Sequence, residues 1–281
     1  MVGNIHIMGI INMTPDSFFP GSRTTAAGFA RKAAAMLSDG ADVLDLGACS
    51  TRPGATLPSL EEEWSRLEPA LLAMAGNTLC GGAQAPEGVC PAISVDTFRA
   101  EIVKRTYETI GPFIVNDISA GNMDPEMLET VGRLELPYVA MHMRGTPETM
   151  QQFTDYGDIV QDILAYFREF AARAQDAGIR DWILDPGFGF SKTVDQNYEL
   201  LRRLSELQEA GRPILAGLSR KSMVYKKLGI GPEEAMPATQ VVQFAALQGG
   251  ATWLRVHDVA PAVQTARIYS TMYTSSPGAA K

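Results

Sequence analysis

The chain has 281 residues, 46% of them hydrophobic and 20% charged, with a formal net charge of -8 at pH 7. That balance fits a globular protein with a sizeable core and excludes non-specific nucleic-acid binding, which requires a basic surface. Cys49, Cys80 and Cys90 show neither zinc-site spacing nor an even disulfide framework, so a reduced, cytoplasmic setting is expected, with no membrane span and no signal peptide.

Short β-rich runs alternate with longer amphipathic stretches along the chain, the pattern of repeated βα units. The first strand is predicted at Ile5–Ile11 and the first helix at Ala26–Ser38, stopped by Asp39-Gly40. A strand at Val43–Leu46 leads to a helix at Ser59–Ala73, where Ser59-Leu-Glu-Glu reads as an N-cap with acids in the first turn. Ala75–Pro91, Gly-rich and polar, reads as an insertion on the αβ side, away from any chemistry. Strand Ala92–Val95 and helix Phe98–Glu108 follow, then strands Phe113–Val115 and Tyr138–Met141 and a helix Ile159–Gln175 stopped at Ala177-Gly178. The chain continues as strand Trp182–Leu184, helix Val194–Gln208, strand Pro213–Ala216, helix Pro237–Gly249, strand Trp253–Val256 and helix Ala260–Met272. Eight strands, each followed by a helix, close most simply into one (β/α)8 TIM barrel over residues 1–273, a fold that takes about 250 residues. Residues 274–281 form a flexible tail, and an open doubly wound sheet is the alternative architecture.

Polar residues follow almost every strand. Strand one ends in Asn12, before Thr14-Pro-Asp-Ser-Phe18; strand two carries Asp45 and then Ser50-Thr-Arg-Pro-Gly54. Ser94-Val-Asp-Thr97, Asn116-Asp117 and His142-Met-Arg144 end the next three. Asp185-Pro-Gly-Phe-Gly-Phe190, Ser219-Arg-Lys-Ser222 and Arg255-Val-His-Asp258 end the last three. In a barrel these positions converge on the C-terminal rim, where such enzymes keep their sites. The two-residue period puts Ser94 with Asp96, Ile183 with Asp185 and Arg255 with His257 on shared strand sides.

Structural roles compete for several of these residues. Asp96 or Thr97 would serve as helix caps, Asn116 and Asp117 as turn residues, and Phe188 and Phe190 as core aromatics. His142, flanked by methionines, reads as a packed, hydrogen-bonded histidine, and Gly187–Thr193 lacks the spacing of a phosphate loop. Arg220 and Lys221 stand where a helix should begin, at the positive end of its dipole, so an anionic or carbonyl-bearing group is expected to offset them. The helix start at Ser222 is a further anion acceptor, and Arg255 with His257 form a second anion-binding pair.

The ordered motifs together resemble the dihydropteroate synthase family of pterin-binding barrels. Those that carry the resemblance run from Gly9-Ile-Ile-Asn-Met-Thr-Pro-Asp-Ser-Phe18, Leu44-Asp-Leu-Gly47 and Ser50–Gly54 through Ser94–Thr97, Asn116–Ser119 and Met141–Pro147. Leu184–Phe190, Ser219–Ser222 and Leu254–Asp258 complete them, so the match spans almost the whole chain. The resemblance implies transfer of a 6-hydroxymethyl-7,8-dihydropterin group from its diphosphate to p-aminobenzoate, with release of pyrophosphate, in folate biosynthesis.

It implies that Asp96, Asn116, Asp185 and Lys221 read the pterin and that Asn12, Arg255 and His257 hold the diphosphate, with Asn12 helping to position Mg2+. Phe18, Thr51, Pro53, Phe190 and Ser222 would receive p-aminobenzoate, with sulfonamides competing there. Lys221, Arg52, Arg255 and His257 would act on the reacting groups, and the loops Asn12–Thr24 and Ala48–Thr56 would close over them. A homodimer through helices on the far side from the first loop is also implied. Phe19-Pro20, Ala48-Cys49 and Ser191, the last at a common glycine position, depart from the family pattern, as does the Ala75–Pro91 insertion. The alternatives are a methyltetrahydrofolate-binding methyltransferase, a non-catalytic pterin-binding protein, and a Schiff-base aldolase using Lys221.

Overall fold

A computed structural model of the chain describes residues 4–13, 26–48, 57–75 and 92–273. Its strands are β1 (His6–Asn12), β2 (Val43–Gly47), β3 (Ala92–Asp96), β4 (Ile114–Asp117), β5 (Tyr138–Met141), β6 (Trp182–Asp185), β7 (Leu215–Ala216) and β8 (Trp253–Val256). All pair in parallel, in the order β6-β5-β4-β3-β2-β1-β8-β7. The two ends of that order meet: Leu184 bridges Ile214, and the Leu184 N–H donates to the Pro213 carbonyl at 2.9 Å. An open doubly wound sheet leaves its edge strands apart, so this junction makes the fold a (β/α)8 barrel, narrowly closed between β6 and β7.

Helices among the described residues are α1 (Ala26–Ser38), α2 (Leu60–Ala75), α3 (Ala100–Ile110), α4 (Met127–Arg133), α5 (Ile159–Asp176), α6 (Val194–Arg202), α7 (Ser222–Leu228), α8 (Met236–Gln248) and α9 (Val259–Tyr273). The expected punctuation holds. The Ser59 N–H donates to Glu62 Oε2 at 2.9 Å and the Glu62 N–H to Ser59 Oγ at 3.3 Å, a reciprocal cap that starts α2. Gly40 and Gly178, at φ 101° and 81°, end α1 and α5.

Two differences stand out. The run read as one helix over 194–208 is α6 followed by a 3-10 helix at Leu204–Ala210. The break falls at Arg203, whose guanidinium holds Glu199, Glu206 and Asp158 at 3.1, 2.8 and 3.0 Å, a set of contacts no periodicity encodes. The short α4, seven residues long, was assigned no bounds; two turns hold too few apolar positions for a 3.6-residue period to emerge.

The strand alternation divides the core in two. Met8, Val43, Val139, Ile183 and Leu215 form a buried cluster inside the barrel. Residues of opposite parity, such as Ile7, Leu44, Val95, Val115, Ala140, Leu184 and Leu254, join the larger core between barrel and helices. Parity therefore decides whether a strand-end side chain points into the mouth or under the helices. Residues 76–91 of the insertion, the three cysteines and the tail at 274–281 lie outside the described residues; Ala75, the insertion's first residue, ends α2.

Candidate active site

The pairing register sets Asn12 beside Gly47, Gly47 beside Asp96, and Asp96 beside Asn116, so the inward ends of β1 to β4 form one polar rung. Gly47 keeps that rung open: a Cβ there would stand 3.5 Å from Asp96 Cβ and 3.9 Å from Asn12 Oδ1. Two residues back on β2, Asp45 is completely buried. Arg255, reaching across from β8, donates from Nε to Asp45 Oδ2 and from a terminal nitrogen to Asp96 Oδ2, both at 2.7 Å. The Asn116 amide donates to the two Asp45 oxygens at 3.3 Å. Burial pushes the Asp96 carboxyl up to about 7; Arg255 opposes this, and the charges of Asp45, Glu63 and Asp117 add to it.

Across the mouth, Asp185 ends β6 and accepts the Gly187 N–H at 2.8 Å. Burial raises its pKa too, against the pull of Lys221. Lys221 is the residue before α7, and its ammonium donates to the Phe188 carbonyl and lies 4.9 Å from the centre of the Phe190 ring. Burial lowers its pKa to about 8, with Asp185 acting the other way. Gly217 makes room for both groups, since a Cβ there would be 3.6 Å from Lys221 Nζ and 3.9 Å from Asp185 Oδ2. On the neighbouring strand end His257 keeps an exposed edge, and its N–H and Nδ1 lie 3.2 and 3.1 Å from Ser219 Oγ. The surrounding wall desolvates the ring and Arg255 repels its proton, bringing the pKa down to about 4. Ser222 opens α7, half-buried.

Asn12, Asp96, Asn116, Asp185, Lys221, Arg255, His257, Phe190 and Ser222 thus lie around one mouth. Phe18, Thr51, Arg52 and Pro53 lie outside the described residues, as does most of each expected covering loop. The groups expected to offset the cations at the start of α7 are found within the chain itself, the Phe188 carbonyl for Lys221 and a carboxylate for Arg220. The anion that offsets Arg220 is Asp258, held through two hydrogen bonds of 2.8 Å, so Arg220 is already satisfied within the chain. Arg255 likewise has Asp45 and Asp96 as partners, so its presence alone does not demand an anionic ligand.

Opposite parity removes other strand-end residues from the mouth. Asp117 faces the helices and accepts from the Ser119 N–H and hydroxyl, the Gly121 N–H and the Tyr138 hydroxyl at 2.7, 2.7, 2.8 and 2.5 Å, which makes it the organiser of the turn after β4. His142 is buried and hydrogen-bonded, as expected. Thr97 donates to the buried Glu63 at 2.6 Å, and it is Asp124 that accepts the first α3 N–H, from Ala100 at 2.7 Å. The sequence places Asp45 on strand two without giving it a role, and it does not single out Gly217 or Lys192. Asp45 carried a signal, a charge in the middle of Val43-Leu-Asp-Leu-Gly47; Lys192 carried none.

This site can be set beside known proteins. The family model of pterin binding enzymes matches residues 8–257. The chain belongs to that family. Its relatives include the dihydropteroate synthase of Escherichia coli strain K12, 38% identical over 266 residues that cover 94% of this chain and 90% of that one. Among solved structures, a Yersinia pestis dihydropteroate synthase in complex with a sulfonamide drug superimposes with a TM-score of 0.88 at 35% identity, covering 98% of this chain and 96% of that one. A Xanthomonas albilineans dihydropteroate synthase with 4-aminobenzoic acid gives 0.86 at 35% identity, covering 98% and 95%.

Proposed function

We propose that this chain is a dihydropteroate synthase, a transferase that joins 6-hydroxymethyl-7,8-dihydropterin diphosphate to p-aminobenzoate and releases pyrophosphate. The observation that carries the reading is the set of buried Asp96, Asn116 and Asp185 with half-buried Lys221 in the barrel mouth. A pterin edge offers several N–H donors and a ring carbonyl; acids in a dry mouth accept the first, and the lysine donates to the second. Such groups reject rings with another hydrogen-bond pattern, because the buried acids would be left unpaired.

Asn12, Arg255 and His257 bind the diphosphate in this reading. Arg255 serves two ends, because its partner Asp96 reads the pterin. His257, neutral at pH 7, gains a proton affinity when an anion arrives. Phe190 and Ser222 receive the p-aminobenzoate, together with Phe18, Thr51 and Pro53, and sulfonamides compete for the same place; Arg52 approaches the reacting groups with its loop. The arylamine is neutral, so the chain's residues need only orient it and exclude water while the C–O bond breaks.

Among the described residues no group of three or more His, Cys, Asp and Glu is arranged to hold a metal. Asn12 would help to hold a Mg2+ ion carried by the diphosphate, a metal that needs few protein ligands because it keeps water and phosphate oxygens. When bound it stabilises the departing pyrophosphate.

A homodimer is part of the proposal. Val241, Ile268, Met272 and Tyr273 are exposed along α8 and α9, with Phe244, Tyr269 and Tyr273 in ring contact. This apolar face supports a dimer seated there. Cysteine usage supports a cytoplasmic setting. Among the described residues no helix is long and apolar enough to cross a membrane.

The test is pyrophosphate release from purified protein given the pterin diphosphate and Mg2+, with and without p-aminobenzoate. Release that requires the arylamine, with 7,8-dihydropteroate formed in equal amount, is expected. Release independent of it would overturn the assignment.

A further inference from the structure

The segment from β6 to α6 carries a buried cation that the reaction as described leaves unused. Lys192 is 3% exposed, and its Nζ lies 3.0 Å from the Gly187 carbonyl, 3.0 Å from the Phe190 carbonyl and 3.0 Å from His142 Nδ1. An ammonium has three N–H donors, and here it meets three acceptors. With Lys192 as the donor, His142 accepts through Nδ1 and carries its proton on Nε2; burial lowers the proton affinity of both groups, and the charges of Lys192 and Arg144 add to the effect on His142. His142 is fixed in turn, edge-on to Tyr166 with ring centres 4.8 Å apart.

A second tie lies beside the first. Ser191, at φ 51°, donates its hydroxyl to the Arg144 carbonyl at 2.9 Å and accepts the Arg144 N–H at 2.8 Å. Two neighbouring residues after β6 are thereby bound to the segment after β5. The Gly187 backbone presses on the same place: a Cβ there would fall 2.1 Å from the His142 carbonyl oxygen, and φ is 70°. Only glycine fits this approach.

What this segment holds in place is part of the site. Asp185 is oriented by the Gly187 N–H, Lys221 by the Phe188 carbonyl, and Phe190 lies under the Lys221 ammonium. The carbonyls that Lys192 grips belong to Gly187 and Phe190, on either side of Phe188. The arc contains two glycines with positive φ, Gly187 and Gly189, and beside the Lys192 contacts it is tied by the Gly189 N–H to Asn197 Oδ1 at 2.7 Å and the Phe190 N–H to the Gly187 carbonyl at 3.0 Å. We infer that Lys192, anchored on His142, is a positioning residue that shapes the 187–190 arc so that Asp185, Phe190 and Lys221 meet the substrates, with Ser191 as a second tether. This rests on the reading of Asp185 and Lys221 as pterin-binding groups.

Lys192→Met keeps the straight side chain and removes all three donors. Its test is the equilibrium affinity for unreactive 6-hydroxymethylpterin, measured by calorimetry on protein whose thermal unfolding is still cooperative, with kcat and KM for both substrates. A tenfold or greater loss of pterin affinity is expected, with a larger rise in KM for the pterin diphosphate than fall in kcat. His142→Leu, which leaves Lys192 one acceptor short, is expected to follow it, and His142→Asn, which keeps an acceptor, to restore affinity to within threefold of the parent protein. In an Asp185→Asn background, Lys192→Met should add less than threefold, since both act on one contact. If Lys192→Met does not fold, His142→Leu against His142→Asn decides by the same criterion. Pterin affinity lost in Asp185→Asn but kept within twofold in Lys192→Met, or in His142→Leu, overturns the positioning role alone. Affinity kept in Asp185→Asn overturns the reading of the site and the inference with it.

Discussion

The two faces of the barrel strands both bury polar side chains, and they complete them to different degrees. On the outer face Asp117 accepts four hydrogen bonds, Thr97 is paired with Glu63, and His142 with Lys192. On the inner face Asp96 has Arg255 as its hydrogen-bond donor and Asp185 has the Gly187 N–H among the described residues, although each ionised carboxylate can accept about four. Burial raises the proton affinity of acids on both faces, Asp96 and Asp185 on the inner and Asp117 on the outer, so it is the number of donors that distinguishes them. A fold can tolerate under-bonded buried acids where a ligand completes them, and saturated ones where none arrives. Parity along the strand therefore separates most groups that bind from groups that hold; Asp45, which faces inward yet holds Arg255 and Asn116, is the exception.

The comparison can be broken at either face. The largest effect is expected at Asp185→Asn, which replaces an acceptor with a partial donor and should weaken pterin binding by roughly 100-fold, the loss of one or two charge-assisted hydrogen bonds. Calorimetric titration with 6-hydroxymethylpterin measures it, and the unfolding midpoint should move little. On the outer face Tyr138→Phe removes the hydroxyl donor to Asp117 and should cost roughly 2 kcal/mol of stability in denaturant titration, with pterin affinity unchanged in the folded protein.

A smaller effect is expected at Gly47→Ala. Its Cβ would make ordinary contacts at 3.5 to 3.9 Å, so the fold should stand, while the space between Asn12 and Asp96 is narrowed and KM for the pterin diphosphate rises a few-fold. A separate effect, on the pH dependence of stability, is expected at Asp96. Its carboxyl ionises at about 7 in the folded protein against an ordinary 3.8, so between those values the folded chain holds a proton that the unfolded chain has released. Asp96 thus contributes a loss of stability as pH rises from about 4 to about 7, and Asp96→Asn should remove that share of the slope. Unfolding midpoints of the two proteins compared at pH 4.5, 6 and 7.5 would measure it.

Much of the rim was legible because chemistry and period agree there. Asn12, Asp96, Asn116, Asp185 and Arg255 all interrupt or end apolar strands, and the two-residue alternation carries each of them inward. The same alternation, applied to β4 and β5, places Asp117 and His142 outside, which settles a competition that residue type leaves open. Other features depend on contacts distant in sequence. Arg255 and Asp45 are 210 residues apart, Arg220 and Asp258 are 38 apart, and Lys192 meets His142 over 50. Ser191 adopts a conformation that favours glycine because two bonds to Arg144 compensate it, and nothing local announces them. The helix break at Arg203 has the same origin in ion pairs between elements.

Asn116 and Asp117 are adjacent, buried and polar, and they point to opposite faces of β4, so one paired measurement tests the division most directly. Asn116→Ala and Asp117→Ala would each be assayed for pterin affinity by calorimetry and for stability by denaturant unfolding. The account predicts that Asn116→Ala loses at least tenfold in affinity with a stability change of about 1 kcal/mol or less, while Asp117→Ala loses roughly 3 kcal/mol of stability and keeps its affinity when folded. Equal losses of affinity in both, or the two results exchanged, would contradict it.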